Sequence, residues 1–304
     1  MNYTAVIRTL GKAGEAYQKT LNSLAQQTMQ PKAIVVYIAE GYPLPKETIG
    51  SEQYVYVKKG MVAQRALRYD EVTTEYILFM DDDVYLPPTA VETLYKELVE
   101  HKGDVISPCV FYNHIASVKS KIIRSLTAKE VCRFWGDRWA YKVHRTTGFS
   151  YLNNPAKPVY ESQTNAGPCF FCKKEDFLKA QFEEELWLDE APYALPEDQV
   201  MYYKMHLCGL RVLTSFDSGI VHLDAGSTTA NSEDRLANLI YSEYRNKLIF
   251  WYKFIYRYEK SAVKKIWAVV CLLYSYGVQM IKYALHYLFG KKNIAKAFFS
   301  GISD

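Results

Sequence analysis

In Tyr76-Ile77-Leu78-Phe79-Met80-Asp81-Asp82-Asp83-Val84, five apolar or aromatic residues run straight into three consecutive acids. A short unbroken apolar run reads as a strand buried on both faces, as in a parallel sheet. The C-terminal end of such a strand is where open α/β sheets place their ligand crevice. Side chains alternate along extended backbone, so Asp81 and Asp83 are expected on one side. Two carboxylates held together repel unless protons or a cation separate them. Mg²⁺ or Mn²⁺, which take one or two protein carboxylates plus substrate phosphates, suit that place. An acidic turn opening the helix that begins near Pro87-Pro88-Thr89 is the plainer alternative.

Outward from this strand the first half of the chain alternates. Strands are expected at Thr4–Thr9, Ala33–Ile38, Tyr54–Val57 and Asp104–Pro108, and helices at 13–27, 60–71 and 89–101. Alternation of this kind implies an α/β fold, Rossmann-like, with a mostly parallel central sheet and helices on both faces. Residues 112–163 lose the pattern and read as an irregular insert near the active site; inserts this long are usually functional. The expected division is a catalytic domain over 1–230 and a C-terminal helical region over 231–304.

The 304 residues carry a net charge of +4, with no long basic run, so nucleic acid is not an expected partner. Of the six cysteines only Cys169 and Cys172 form a CxxC, and strand geometry turns them to opposite sides. Buried free thiols are the reading preferred over zinc or redox chemistry. The N-terminus lacks a charged segment followed by an apolar core, which together with the thiols leads us to expect a cytoplasmic protein.

The last 70 or so residues change character. Residues 235–258 read as an aromatic-rich amphipathic helix, and 266–289 as a long one whose only charged side chain is Lys282. Ser275, Gln279, Lys282 and His286 form one narrow polar stripe, and lysines flank both ends. Three readings stand: a helix lying in the cytoplasmic leaflet, a helix packed on the protein, or a true span. The first gives peripheral membrane contact through 261–292, at the inner face of the cytoplasmic membrane.

Two further segments carry chemistry. Leu195-Pro196-Glu197-Asp198 opens a helix with Asp198 in its first turn, where capping alone explains one acid. His222 follows a short β segment and is either a structural residue or a nitrogen ligand, suiting Mn²⁺ better than Mg²⁺.

Taken in order, these segments resemble the family 2 glycosyltransferases, inverting enzymes of GT-A fold using nucleotide sugars. The resemblance covers about residues 3–225 and is most specific over Gly60–Asp83 and Glu197–His222. It implies that Thr9, Glu40, Arg65, Asp81 and Asp82 contact the donor and that Asp83 and His222 hold the metal. It implies Asp198 as the base that activates the acceptor. A Mn²⁺ or Mg²⁺ ion, a UDP- or dTDP-sugar donor and a glycan or lipid-linked acceptor follow from it, in polysaccharide or lipid-linked glycan assembly. Trp135, Trp139 and Trp187 are candidates for stacking on sugar rings, with core packing the preferred reading for any one of them. The first strand ends in Arg8-Thr9-Leu10-Gly11 where the family usually has Pro-Thr-Tyr-Asn, and Ala39-Glu40-Gly41 stands for its paired aspartates. The competing functions are a sugar-1-phosphate nucleotidyltransferase and a catalytically inactive scaffold at a membrane.

Overall fold

The computed structural model describes residues 1–110, 117–126, 138–152, 156–223 and 232–304. Trp135 and Asp224 lie outside them. The first strands are β1 (Tyr3–Thr9), β2 (Ala33–Ala39), β3 (Glu52–Val57), β4 (Tyr76–Asp81), β5 (Val84–Tyr85) and β6 (Val105–Pro108). After these come β7 (Tyr141–Val143), β8 (Ser150–Leu152), β9 (Val159–Ser162), β10 (Cys169–Lys173), β11 (Val212–Ser215) and β12 (Val221–His222). The helices are α1 (Glu15–Ala25), α2 (Ala90–Glu100), α3 (Val118–Leu126), α4 (Lys174–Lys179), α5 (Glu197–Leu207), α6 (Glu233–Phe250), α7 (Ala262–Leu288) and α8 (Lys292–Ser303).

Eight strands form one sheet in the order β3-β2-β1-β4-β10-β6-β11-β9. The β3-β2-β1-β4 half is wholly parallel, and β10 runs antiparallel to both of its neighbours. The apolar runs explain why both faces are covered. In β4, Ile77 and Phe79 belong to one core and Leu78 and Met80 to the other. Val35 and Tyr37 of β2 follow the first, Val36 and Ile38 the second. α1 and α2 close one face with Leu21, Leu24, Val91 and Leu94. α5 closes the other, and Phe250, Trp251, Phe254 and Ala268 from the C-terminal region join the same core. Each such aromatic contributes about 1.5–3 kcal/mol by burial, so these helices are part of the stability of the sheet's own body. Cys169 and Cys172 are buried free thiols on β10.

Two expectations need correction. Residues 60–71 are not a continuous helix. One turn forms, with Gln64 N–H donating to Gly60 O and Ala66 N–H to Val62 O, and then Tyr69 adopts φ 56°. The Tyr69 hydroxyl donates to the Arg65 carbonyl, the acceptor that a continuing helix would offer to the residue 69 amide. The 112–163 stretch, where described, contains α3, β7, β8 and β9, and β9 forms an edge of the main sheet. The polar stripe of α7 is turned toward the protein at its centre, as in the packed reading: Ser275 and Gln279 are buried, and Gln279 Oε1 accepts from the Tyr244 hydroxyl at 3.0 Å.

Candidate active site

Parallel β1 and β4 end side by side, Arg8 opposite Asp81 in the register, and the start of β10 meets them there, with Asp81 N–H donating to Pro168 O at 2.8 Å. This is the carboxyl edge where α/β sheets bind ligands. The strand stops at Asp81 and the backbone turns through Asp82 and Asp83 before β5. Alternation stops with it, so the expectation that Asp81 and Asp83 share a side is corrected. The three acids take three different partners.

Asp81 forms a two-pronged ion pair with Arg8, through Nε and, at 3.1 Å, through Nη2. Asp82 accepts from the Thr9 hydroxyl, whose oxygen accepts in turn from Gly11 N–H at 2.8 Å. Burial pushes the Asp82 carboxyl up to about 6; the Thr9 hydrogen bond opposes this, and the charges of Asp81 and Asp83 add to it. Asp83 lies 3.0 Å from Nε2 of His222. The short antiparallel ladder of β5 and β12 sets that pair, with His222 opposite Val84 and Leu223 N–H donating to Asp83 O.

Arg65 is almost fully buried and joins the two halves of the site. Its Nη1 donates to Asp198 Oδ1 at 2.9 Å and its Nη2 to Gly167 O at 2.8 Å, while Asp81 Oδ1 lies 3.5 Å away. Planar guanidinium geometry makes such a fork directional, which a lysine would not reproduce. Asp198 therefore spends its carboxylate on Arg65 rather than on capping α5, and its side chain is still one-third exposed. Glu197 is buried beside it, 3.7 Å from Arg8. Burial and the neighbouring Asp198 raise the Glu197 carboxyl to about 7, against the pull of Arg8 and Arg65.

Several supports lie outside the sequence-derived set. Gln64 donates to the carbonyls of Thr9 and Tyr37, tying together the ends of β1 and β2. Asp189 accepts from the amides of Val62 and Ala63 and so holds the turn that carries Arg65. Gly167 leaves the space in which Asp198 and Arg65 meet, since a methyl group there would strike the Asp198 carboxylate. Arg8 was visible in sequence only as a departure from the resembled pattern, and Gly167 carried no sequence signal.

Glu40 stands apart, exposed at the end of β2, with its amide bonded to Val57 O. Trp139 is buried edge-on to His206, and Trp187 donates to Glu185 at 2.6 Å, so both have structural partners. Among the described residues no cluster of three or more His, Cys, Asp or Glu could enclose a metal. The Asp83–His222 pair does fit an ion that completes its shell with phosphate oxygens and water, as Mg²⁺ and Mn²⁺ do.

Residues 56–173 match the model of Glycosyl transferase family 2, and residues 3–106 match that of the Glycosyl transferase family 64 domain. No curated protein matches the chain in sequence. The fold is similar to that of S. aureus TarS 1-349, with TM-score 0.50 and 14% identity, over 96% of this chain and 74% of that one. It is also similar to GalNAc-T7 solved with UDP, GalNAc and Mn²⁺, with TM-score 0.53 and 13% identity, over 91% of this chain and 55% of that one. At these identities the likeness speaks for the fold, which is GT-A. The two family matches overlap across the acid-tipped strand β4, and together with the GT-A fold they support a glycosyl transfer role for this chain.

Proposed function

We propose that the enzyme moves a sugar from a nucleoside diphosphate donor, carrying uracil or thymine, to an acceptor hydroxyl with inversion at the anomeric carbon. The observation that carries this reading is Arg65, whose buried guanidinium reaches both Asp81 at the end of β4 and Asp198 at the start of α5. It keeps a one-third-exposed carboxylate one side chain away from the acidic strand end. Asp198 takes the proton of the acceptor hydroxyl, and that oxygen attacks the anomeric carbon from the face opposite the diphosphate. The bond to the diphosphate breaks as the new one forms, and the electron pair leaves with the diphosphate. A carboxylate base needs hydrogen-bond reach of the hydroxyl, and the exposure of Asp198 provides it.

Thr9 and Asp82 are the donor contacts this reading favours, because their paired oxygens lie at the carboxyl edge. Glu40, at the neighbouring strand end, is the candidate contact for the donor's nucleobase. Arg65 and Asp81 become positioning residues, each already held by a buried ion pair. A Mn²⁺ or Mg²⁺ ion held by Asp83 and His222 would supply charge neutralisation for the departing diphosphate. Support for a lipid-linked acceptor comes from the exposed apolar side of α7. The test is calorimetric titration with UDP, dTDP and GDP, with and without Mn²⁺. One nucleotide that binds only with Mn²⁺, and not to Asp83→Asn, is the expected result; no binding of any of them overturns the donor assignment.

A further inference from the structure

We infer that α7 and α3 together form a docking surface for an anionic lipid bilayer, with α7 lying in the membrane plane. α7 is inverted relative to an ordinary surface helix. Its inner side buries Ser275, Tyr276, Gln279 and Tyr283. Its outer side presents Val263, Ile266, Trp267, Leu273, Ile281 and Leu288, each at least 60% exposed. These recur at helical spacing along the whole element, which at 1.5 Å per residue is about 40 Å long. A contiguous apolar strip of that length marks an interaction site.

The strip continues onto a helix distant in sequence. Tyr274, exposed on the same side of α7, donates to Leu126 O at the end of α3 at 3.3 Å. Val118, Ile122 and Leu126 of α3 are exposed at four-residue intervals. Neither the long helix nor the short one has an acidic residue.

Charge selects the occupant. Residues 260–303 contain seven lysines and no Asp or Glu. A second copy of the chain, meeting this face through a two-fold axis, would bring two such lysine sets together. An anionic bilayer instead accepts the apolar strip and attracts the lysines around it, each adding about fivefold to binding. The helix lies flat rather than spanning because its inner side is committed to the protein. The Tyr276 hydroxyl donates to Tyr244 O and the Tyr244 hydroxyl to Gln279, while Ala268 belongs to the central core.

Truncation would open that core, so the test uses substitutions at exposed positions in the full chain. In vesicle flotation, the wild type is expected to rise with phosphatidylglycerol–phosphatidylcholine vesicles and to bind pure phosphatidylcholine at least about tenfold more weakly. Leu273→Glu/Ile281→Glu should stay at the bottom of the gradient. A separate Lys264→Ala/Lys291→Ala/Lys292→Ala variant, which leaves the apolar strip intact, should bind the anionic vesicles about 100-fold more weakly. Failure of the wild type to float, or flotation of the glutamate variant at wild-type level, overturns the inference. A vesicle-free dimer that the glutamate variant dissociates, with no vesicle binding, assigns the face to a second copy instead. None of these readouts depends on the transfer chemistry.

Discussion

Replacing Gly167 by alanine adds one methyl group and no charge, yet it should remove most of the activity. A Cβ at residue 167 would overlap the Asp198 carboxylate and lie 2.8 Å from Nη1 of Arg65. The Gly167 carbonyl accepts from the same guanidinium, so the backbone cannot retreat without losing that bond. The carboxylate must therefore move by about 1 Å, a displacement that typically costs on the order of 10²-fold in rate, or about 2.7 kcal/mol of barrier. Overpacking should also lower stability by about 1–3 kcal/mol. The assay is turnover of the donor identified by titration, with nucleotide affinity measured in parallel. We expect kcat to fall about 100-fold and the nucleotide Kd to stay nearly unchanged, because Thr9, Asp82 and Asp83 are untouched. Gly277→Ala is the control, since a methyl there meets open space on α7; it should leave kcat alone and add about 0.5–1 kcal/mol of stability. A Gly167→Ala enzyme within about threefold of wild-type kcat, a barrier change of only about 0.6 kcal/mol, would refute the role given to Asp198.

Other substitutions separate the parts of the site. His222→Ala should raise the Mn²⁺ concentration needed for nucleotide binding by about 10–100-fold, the usual scale for a weakened metal site, as read by titration at fixed nucleotide. Glu197 has a raised carboxyl pKa, so the fold favours its neutral form: that stability is fully present below about pH 4.5 and is lost as pH rises through about 7. Glu197→Gln should reduce the fall in melting temperature between those limits, leaving the part that the raised Asp82 carboxyl contributes up to about pH 6; an unchanged profile would show that Asp82 or another group carries all of it. Gly301 of α8 packs on the backbone of α6, where a Cβ would sit 2.6 Å from Tyr241 O. Gly301→Ala should therefore destabilise the chain by about 1–3 kcal/mol, seen as a drop of a few degrees in thermal unfolding.

The strands were legible because burial on both faces leaves a continuous apolar run, and β4 shows this most clearly, with Ile77 to Met80 feeding two separate cores. The order of the chemistry-bearing segments was legible too, since each acid follows a strand or opens a helix. What stayed hidden depends on partners far away in sequence. Residues 60–71 have helical spacing, but Asp189 captures the amides of Val62 and Ala63 from 127 and 126 residues away, and Tyr69 then leaves the helical region. The stripe on α7 was visible, yet its direction depends on Tyr244, 35 residues earlier, which supplies the hydroxyl that Gln279 needs in order to be buried. Gly167 gives no local signal at all, because its role is the volume it leaves to Asp198 and Arg65.

The acid triplet shows how a departure from the resembled pattern can reorganise a site. Arg8 stands at the end of β1 where the family usually carries a proline. Its guanidinium takes up Asp81 and approaches Glu197, so neither of those groups is open to an incoming donor as a bare carboxylate. With Arg65 also drawn to Asp81 and Asp198, two cations are set among three acids in a largely buried space. Removing either arginine would leave uncompensated buried charge, a change that typically costs 3–5 kcal/mol. Asp82 and Asp83 stand outside these ion pairs, and each has its own partner from another element, Thr9 or His222. Division of labour among three adjacent aspartates thus comes from where the strand stops. Extended backbone would have pointed Asp81 and Asp83 the same way, and the turn after Asp81 lets one acid pair with the two arginines while the next two take Thr9 and His222.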